Sequence, residues 1–270
     1  MKTTQHYRTV WLSDIHLGYK DCKAEYLLDF LQHTQIDTLY LVGDIVDMWA
    51  MSKQFMWPKS HNQLFHYLLN LPQAGTNVIY LPGNHDEPAQ QYDGMVFGDI
   101  EIHRQYIHTT ADGKKLLLLH GDQFDEEVCF GPIHSWIGDK GYDLLLFLNR
   151  WYNKARHWMG FSYWSLAGYI KSRINGANKA IERYQQACLK RAQEMGLDGV
   201  VCGHIHHPEQ IEQQGRTYFN TGDWIENCSA LVEDHQGHIQ LQFWTNIATT
   251  ENPTNVLNIK DKKTVNSKAA

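Results

Sequence analysis

Five short polar stretches of this chain bring carboxylate, amide and imidazole side chains within a few residues of one another. They are Asp14-Ile15-His16, Gly43-Asp44-Ile45-Val46-Asp47, Gly83-Asn84-His85-Asp86, His120-Gly121-Asp122 and Gly203-His204-Ile205-His206. Side chains of these types bind divalent transition ions such as Mn²⁺, Fe²⁺, Co²⁺ and Zn²⁺. The stretches predict a metal centre whose ligands are Asp14, His16, Asp44, Asn84, His120, His204 and His206.

The predicted ligands lie where strands are expected to end. Each polar stretch follows an apolar run typical of a buried strand, namely residues 9–12, 38–42, 77–81, 116–119 and 199–202. Strand ends are rigid and the loops after them are open, so ligands placed there are fixed yet accessible to substrate. Asp14 and His16 point to the same side of an extended chain and can reach one ion. Each oxygen of Asp44 can address a different ion, which predicts a dinuclear centre.

His85 and Asp86 are the predicted catalytic pair. His85 directly follows the ligand Asn84, so its side chain is expected to face away from that ligand's metal and toward substrate. There it can donate a proton or stabilise charge on a leaving oxygen, with Asp86 or Asp47 orienting its ring. A third-ligand or structural role for His85 stays open.

The remaining histidines follow no ligand spacing, and we expect surface or hydrogen-bonded polar residues. They are His6, His33, His61, His66, His103, His108, His134, His157, His207, His235 and His238. Nucleotide-binding P-loops, dinucleotide-binding loops and serine-hydrolase elbows are disfavoured, because the chain has no G-x-x-x-x-G-K-[ST], G-x-G-x-x-G or G-x-S-x-G sequence.

The composition is that of a globular protein, with 270 residues, 43% of them hydrophobic, and a formal net charge of −6. This acidic balance argues against a general nucleic-acid binder. No apolar run approaches the ~18 residues of a membrane span, and residues 1–8 lack a signal-peptide core, so we expect a cytoplasmic location. Five cysteines without a Cys-x-x-Cys pair predict reduced, mostly buried thiols.

The pattern of elements predicts one mixed α/β domain over residues 1–246. Strand-like and amphipathic helical runs alternate over residues 8–81, as in βαβ units, and Asp112-Gly113 is a hairpin signal. Strand-like runs at 209–213, 217–220, 229–233 and 238–245 favour a closing β-meander. A helical insertion at about 126–195, here called the cap, and a flexible polar tail at 247–270 complete the expected organisation.

The motif series Asp-x-His, Gly-Asp-x-x-Asp, Gly-Asn-His-Asp, His-Gly-Asp and Gly-His-x-His resembles the calcineurin-like metallophosphoesterase superfamily over residues 8 to about 245. The resemblance implies a four-layer α/β/β/α sandwich and two divalent ions that bind phosphate oxygens. It implies that one ion is held by Asp14, His16, Asp44 and His206. The other ion would be held by Asp44, Asn84, His120 and His204, with His85 as the catalytic histidine.

The cap carries the main clue to substrate. Residues 150–191 hold nine basic side chains against one acidic side chain, interleaved with aromatic residues. Such a segment suits a ligand that is anionic at one end and apolar at the other, such as a lipid phosphate or membrane headgroups. A helical lid that packs its aromatic residues on the core remains an alternative, as does stacking of single-stranded nucleic acid.

Within the superfamily, the length, the motif spacing and the cap resemble the UDP-2,3-diacylglucosamine pyrophosphatases of lipid A synthesis, which release UMP and a diacylglucosamine 1-phosphate. The resemblance implies a Mn²⁺-dependent pyrophosphatase with an anionic, lipid-linked substrate, peripheral contact with the inner membrane and no nucleic-acid partner. The substrate contacts that it implies are Asn84, His85, Lys171, Arg173, Asn175, Asn178 and Lys179. That family generally carries Arg where this chain has His85, which indicates a divergent paralogue group.

Two other functions stay open. A metallophosphoesterase acting on a soluble nucleotide, phosphodiester or phosphoprotein would show the same ligands. A scaffold that keeps the fold without catalysis, as a retromer subunit of this superfamily does, is expected to lose ligands. Here every expected ligand position is filled, which favours an enzyme.

Overall fold

Two β-sheets form the centre of the molecule in the computed structural model, which describes residues 5–128, 148–149, 151–153, 155–156, 158–161, 163–166 and 175–245. The strands are β1 Gln5–Leu12, β2 Thr34–Val42, β3 Asn77–Leu81, β4 Val96–Phe97, β5 Ile100–Ile102, β6 Tyr106–Thr109, β7 Lys115–Leu118, β8 Gly199–Cys202, β9 Glu209–Gln213, β10 Arg216–Asn220, β11 Ser229–Glu233 and β12 Ile239–Phe243. The helices are α1 Ala24–Gln32, α2 Met48–Lys53, α3 Lys59–Asn70, α4 Asp125–Val128 and α5 Asn175–Glu194.

The first sheet has seven strands in the order β12-β11-β1-β2-β3-β5-β4. Its centre is parallel, since β1 pairs with β2 and β2 pairs with β3 in the same direction. Apolar residues recur along α1 at helical spacing, so Leu27, Phe30 and Leu31 are buried on one face. They pack with Leu64 and Leu68 of α3 in one core cluster that also contains residues of β1 and β2. The two helices therefore cover the outer face of this sheet.

The second sheet has five strands in the order β6-β7-β8-β10-β9. Its outer face is covered by α5, whose Tyr184, Cys188 and Ala192 are fully buried in a cluster with Leu117 of β7 and Val200 of β8. This helix lies inside the range predicted for the cap. The structure places it in the outer layer of the sandwich, against the sheet.

The two sheets pack face to face through a third core cluster. Trp11, Tyr40 and Ile79 of the first sheet share this cluster with Leu116 and Val201 of the second sheet. With helices on both outer faces, the layers run α/β/β/α, and this confirms the predicted fold class. The parallel β1, β2 and β3 confirm the βαβ wiring, and β6 pairs antiparallel with β7 across the predicted hairpin.

The predicted closing β-meander is wrong. The strands β9 and β10 pair with each other in the second sheet, whereas β11 and β12 pair in the first. The chain crosses between the sheets over residues 221–228. The buried carboxylate of Asp223 accepts the backbone N–H of Ile225 at 2.7 Å, and the backbone N–H of Trp224 donates to the carbonyl of Asp14 at 3.0 Å. These contacts turn the chain from one sheet to the other, and the strand pattern alone does not encode that change.

Several predicted features lie outside the described residues. They include the tail at 247–270 and most of the cap, whose described parts besides α5 are short segments between residues 148 and 166. Cys22, Cys188, Cys202 and Cys228 are free and buried, which confirms the prediction for four of the cysteines. Among the described residues, no helix combines the length and apolar character that a membrane span requires.

Candidate metal centre

The predicted ligands converge at the carboxyl ends of five strands. The loops after β1 and β2 run side by side, with Asp14 donating its N–H to the Gly43 carbonyl at 3.0 Å and His16 donating to the Asp44 carbonyl at 2.9 Å. The loop after β8 joins them, since the His204 N–H donates to Asp14 Oδ2 at 3.0 Å. These backbone contacts fix the ligand-bearing loops relative to one another before any ion binds.

Five of the seven predicted ligands have left-handed backbone conformations. Their φ angles are 51° for Asp14, 53° for His16, 55° for Asp44, 70° for His204 and 53° for His206. Each such conformation costs a non-glycine residue of order 1–2 kcal/mol, and strain of this kind concentrates at functional sites. The residues with these strained conformations carry the side chains that converge at the site. The site is therefore formed at a cost in folding stability.

One group of ligands consists of Asp14, His16 and His206. Asp14 Oδ1 lies 3.2 Å from His206 Nε2 and 3.9 Å from His16 Nε2. One ligand atom of each residue lies within 4.8 Å of the others. A carboxylate oxygen and two imidazole nitrogens that face one another at these separations can bind one divalent transition ion.

Asp44 lies between this group and a second one. Its Oδ2 is 3.7 Å from His16 Nε2 and 3.3 Å from His120 Nε2. His120 Nε2 in turn lies 3.2 Å from Asn84 Oδ1. A carboxylate between two ligand groups occupies the position expected of a bridging ligand, and the resemblance implied this role for Asp44.

Two of the histidines are held so that Nε2 faces the ligand groups. His120 Nδ1 donates to the Val42 carbonyl at 3.0 Å, and His16 Nδ1 donates to Asp47 Oδ2 at 2.9 Å. A hydrogen bond at the second ring nitrogen, as in metalloproteins, fixes the tautomer and orientation of a ligand imidazole. From the sequence, Asp47 was expected only as one of two groups that could orient His85. Its contact with His16 was not predicted, although Asp47 is the last residue of the Gly-Asp-x-x-Asp motif.

The donor set fits a dinuclear metal centre. Asp14 Oδ1 and His16 Nε2 are buried and, within the described part of the chain, neither atom makes a hydrogen bond of good geometry, although His206 Nε2 lies 3.2 Å from Asp14 Oδ1. Leaving such polar atoms buried is costly unless a ligand satisfies them. Asp14 Oδ1 faces His206 Nε2, and His16 Nε2 lies 3.7 Å from Asp44 Oδ2. Divalent ions bound among these ligands would satisfy both atoms.

The pKa values of the site residues also fit a metal centre. Burial alone would raise the pKa of Asp14 and Asp44, but the neighbouring imidazoles outweigh burial and hold both pKa values below the ordinary range. Burial lowers the pKa of His120, yet the Asp44 carboxylate raises it well above its usual value. The raised pKa favours a proton on the His120 imidazole, and metal binding there must release it.

His85 is oriented by Asp47. Its Nδ1 donates to Asp47 Oδ1 at 2.9 Å, while its Nε2 lies 4.0 Å from Asp44 Oδ2. The side chain is 26% exposed, so its free edge is accessible from solvent. Burial lowers the pKa of His85, but the hydrogen bond to Asp47 and the charge of Asp44 outweigh burial and raise it. This position suits a proton donor beside the metal centre.

Asp86, the other predicted catalytic residue, lies behind the site. Its fully buried carboxylate accepts backbone N–H groups of Gly83 at 2.5 Å and Ile45 at 2.7 Å. Burial raises its pKa, and the nearby Asp44 charge adds to this effect. Asp86 therefore positions the loops after β2 and β3, whereas Asp47 makes the contact to His85.

His204 has a different environment from the other ligands. Its Nε2 lies 2.6 Å from Asp125 Oδ1 at the start of α4, and its ring centroid is 5.2 Å from that of His120. The second group therefore brings together Asp44, Asn84 and His120, with His204 beside them and paired to Asp125. No sequence signal had singled out Asp125.

Close packing around the ligands explains the glycine of Gly43-Asp44. Gly43 has a φ of +83°, and an added Cβ there would overlap the ring of His120. The residue permits a left-handed turn and leaves room for the imidazole. A side chain at this position would displace a ligand.

The predicted substrate contacts are only partly visible. Asn84 and His85 lie in the site, and Asn178 and Lys179 are exposed on α5. Asn175 begins α5, but its side chain lies outside the described residues, as do Lys171 and Arg173. Trp49 on α2 was missed by sequence analysis. Trp49 is 47% exposed, and the centroid of its ring lies 4.4 Å from that of His85, which makes it part of the site's wall.

Two ligand groups that share a carboxylate, at the carboxyl edge of an α/β/β/α sandwich, define a metal-dependent hydrolase. A family model described as calcineurin-like phosphoesterase matches residues 7–208. The chain therefore belongs to the calcineurin-like phosphoesterase family, whose members depend on a dinuclear metal centre.

Curated relatives share one name. The UDP-2,3-diacylglucosamine hydrolase of Photobacterium profundum is 26% identical over 254 residues, covering 83% of this chain and 92% of the relative. The UDP-2,3-diacylglucosamine hydrolase of Haemophilus influenzae (strain PittGG) is 24% identical over 232 residues, covering 83% and 93%.

Solved structures of similar proteins include a hypothetical protein from Pyrococcus horikoshii OT3, with a TM-score of 0.47, 10% identity and coverage of 89% of this chain and 88% of that chain. An archaeal phosphodiesterase has a TM-score of 0.44 and 14% identity, with coverage of 87% and 98%.

Proposed function

We propose that this protein hydrolyses the diphosphate of UDP-2,3-diacylglucosamine or of a closely related nucleotide-linked glycolipid. Water adds to one phosphorus, the P–O–P bridge breaks, and the products are UMP and a glycolipid 1-phosphate. The observation that carries the proposal is the agreement among relatives named for this activity, which align over 83–87% of the chain. The site described above supplies the chemistry that such a reaction needs.

Different residues of the chain would bind the metal ions and donate the proton. Asp14, His16, Asp44, Asn84, His120, His204 and His206 would hold two divalent ions, with Mn²⁺ as the proposed pair and Fe²⁺, Co²⁺ or Zn²⁺ as substitutes. When bound, such ions polarise phosphate oxygens and lower the pKa of water. His85, with Asp47 behind it, would donate a proton to the leaving phosphate oxygen.

Exposed aromatic residues at the site and within the range predicted for the cap suit a substrate with both charged and apolar parts. Trp49 offers an exposed ring next to His85. Further along the chain, Trp158 is 89% exposed and Phe161 is 56% exposed, within the range predicted for the cap. Exposed aromatic side chains of this kind favour apolar or lipid-linked ligands. We therefore propose that the enzyme acts at the cytoplasmic face of the inner membrane. The formal net charge of −6 argues against a nucleic-acid partner.

A second candidate is a metallophosphoesterase with a soluble nucleotide, phosphodiester or phosphoprotein substrate. The observation that favours it is His85, which stands where the resembled pyrophosphatases generally carry Arg. A protonated imidazole can give up a proton that a guanidinium cannot, because Arg stays protonated in proteins. The two candidates therefore differ in substrate and share the metal centre.

The deciding experiment supplies metal-stripped protein with UDP-2,3-diacylglucosamine in mild detergent, with and without Mn²⁺, and follows UMP release. A small chromogenic phosphodiester serves as the control substrate, and H₂¹⁸O shows which phosphate receives the water oxygen. Fast Mn²⁺-dependent UMP release supports the glycolipid proposal. Turnover of the small ester alone would support the metal centre but would contradict the glycolipid as substrate.

Lys179 offers a test of substrate recognition. We expect Lys179→Ala to raise the KM for the glycolipid several-fold while leaving the KM for the small phosphodiester unchanged. Lys190→Ala, at another exposed position of α5, should change neither value and is the matched control. Equal effects of Lys179→Ala on both substrates would remove Lys179 from recognition.

A further inference from the structure

Two histidines that follow no ligand spacing in the sequence meet on one carboxylate at the surface. His6 Nε2 lies 2.7 Å from Asp37 Oδ1, and His235 Nε2 lies 3.5 Å from Asp37 Oδ2. The two imidazole centroids are 4.6 Å apart with ring planes at 74°. One ligand atom of each of the three residues lies within 4.8 Å of the others. From the sequence alone, His6 and His235 are expected to be surface or hydrogen-bonded polar residues.

The cluster is separate from the dinuclear centre. His6 is the second residue of β1, and the dinuclear centre begins after Leu12 at the other end of that strand. Six residues of extended chain separate His6 from Leu12, which is roughly 20 Å. The groups of the dinuclear centre therefore cannot supply ligands to this cluster, and the cluster cannot support catalysis directly.

We propose that His6, Asp37 and His235 form a third metal site, which binds one borderline divalent ion such as Zn²⁺. Two imidazoles and one carboxylate are a common zinc donor set, whereas Mg²⁺ and Ca²⁺ prefer oxygen ligands throughout. Ligand atoms about 2.0 Å from a tetrahedral Zn²⁺ lie roughly 3.3 Å apart. His235 Nε2 lies 3.5 Å from Asp37 Oδ2, close to this spacing, whereas His6 Nε2 lies 2.7 Å from Oδ1, the other carboxylate oxygen. The Asp37 carboxylate and the His6 imidazole must therefore reorient as the ion replaces the proton between them.

The backbone holds the three ligands in place. His6 and Asp37 lie on the paired strands β1 and β2, and His235 lies in the turn between β11 and β12. That turn is ordered by Asp234, whose Oδ1 accepts the N–H of Gln236 at 2.8 Å and of His238 at 3.0 Å. Only side-chain rotation is then needed to close the ligands on an ion.

The site would join three neighbouring parts of the first sheet. An ion on His6, Asp37 and His235 ties the β11–β12 turn to β1 and β2. The side chains of His6, Asp37 and His235 are 49%, 52% and 44% exposed, so a fourth coordination position is open to water. The expected role is a structural ion at the edge away from catalysis, and this proposal stands whatever the enzyme's substrate is.

The first test counts ions. Metal-stripped full-length protein is loaded with Zn²⁺, freed of loose ion by gel filtration and analysed for zinc content. We expect His235→Ala to hold one Zn²⁺ per chain fewer than wild type, and Asp37→Asn to show the same loss with the side-chain shape kept. His103→Ala is the matched control, because His103 forms a surface pair with the single carboxylate of Glu101 at 3.1 Å. Equal zinc content in all four proteins would overturn the proposal.

A second readout locates the ion. Diethyl pyrocarbonate modifies accessible imidazoles, and mass spectrometry can map the modified residues. Zn²⁺ should protect His6 in the wild type but not in His235→Ala, while His103 stays reactive in both proteins. Protection of His6 that persists in His235→Ala, or no protection at all, would show that the cluster is only a hydrogen-bonded surface pair. Matching circular dichroism spectra of the variants establish that they are folded.

Discussion

Asp47 holds His16 and His85 at once, one with each carboxylate oxygen, at 2.9 Å in both cases. Burial raises the pKa of Asp47, but the hydrogen bonds from the two imidazoles outweigh burial and keep it well below the ordinary value. Asp47 also caps α2 by accepting the backbone N–H of Ala50 at 2.7 Å. A single carboxylate therefore couples a proposed metal ligand, the proposed proton donor and the helix that carries Trp49.

Replacing Asp47 by Asn should lower kcat about 10–100-fold, the usual effect of losing a group that orients a metal ligand. The amide can accept from one imidazole but not from both, so either His16 or His85 loses its orientation. Steady-state kinetics at saturating Mn²⁺ would show a fall in kcat with a smaller change in KM. Asp93→Asn is the control, since Asp93 is exposed and, among the described residues, its side chain accepts from the Arg104 backbone N–H at 2.9 Å. Unchanged kcat in Asp47→Asn would remove Asp47 from catalysis.

Substitutions of His85 and Asp44 should have different effects on catalysis and on metal binding. His85→Ala should keep both ions yet lower kcat by about 10²–10⁴-fold, the size of a lost general acid. Asp44→Ala should lose metal and activity together, because its carboxylate lies between the two ligand groups. Elemental analysis beside kinetics tests both expectations, and equal metal loss in the two variants would contradict the separate role of His85. His85→Arg then shows whether the residue typical of the resembled pyrophosphatases can serve here.

The lowered pKa of Glu233 leads to a prediction of how the folding stability depends on pH. Its buried carboxylate accepts from Arg8 Nη1 at 2.7 Å and from Thr9 Oγ1 at 2.6 Å. Burial raises the pKa of Glu233, but hydrogen bonds from His108, Thr9 and the Ala111 N–H lower it to about 2. A pKa below the unfolded value of 4.5 stabilises the fold above pH 4.5, and this stabilisation is lost as pH falls toward 2.

We therefore expect Glu233→Gln to lower the free energy of unfolding by about 3 kcal/mol at pH 7 and by much less near pH 2. Urea unfolding of metal-free wild type and variant at several pH values would measure the difference. Asp112→Asn is the control. The pKa of Asp112 is also lowered to about 2, chiefly by its hydrogen bonds with Thr110 and Lys114. Because its side chain is 36% exposed, its replacement should cost only about 0–1 kcal/mol. A pH-independent deficit in Glu233→Gln would refute the assignment.

Trp49 should affect substrate affinity more than turnover. Its exposed ring lies against His85, so Trp49→Ala removes a stacking surface next to the reacting phosphates without touching a metal ligand. We expect KM for the preferred substrate to rise about 5–20-fold, which corresponds to roughly 1–2 kcal/mol of lost aromatic contact. Phe55→Ala removes a side chain that is 77% exposed after α2 and should leave KM unchanged. A fall in kcat alone would instead make Trp49 a support for His85.

The sequence by itself determined the ligand types, their order and the strands that carry them. Each predicted strand before a polar stretch is present, because a short apolar run that ends in a polar turn favours a buried strand. Asp14, His16, Asp44, Asn84, His120 and His206 are brought together because the loops that follow these strands lie at one edge of the sandwich. The motif order thus carried both the fold class and most of the metal centre.

Only the tertiary structure decided which residues support those ligands. Asp125 pairs with His204 across 79 positions of the chain, and His6 meets His235 on Asp37 although their positions differ by more than 200. Local periodicity records which face of an element is apolar, and it contains no information on which distant side chains share a surface. The same limit produced the incorrect meander. The strands β10 and β11 have suitable patterns for one sheet, but the crossing at Asp223 places them in two.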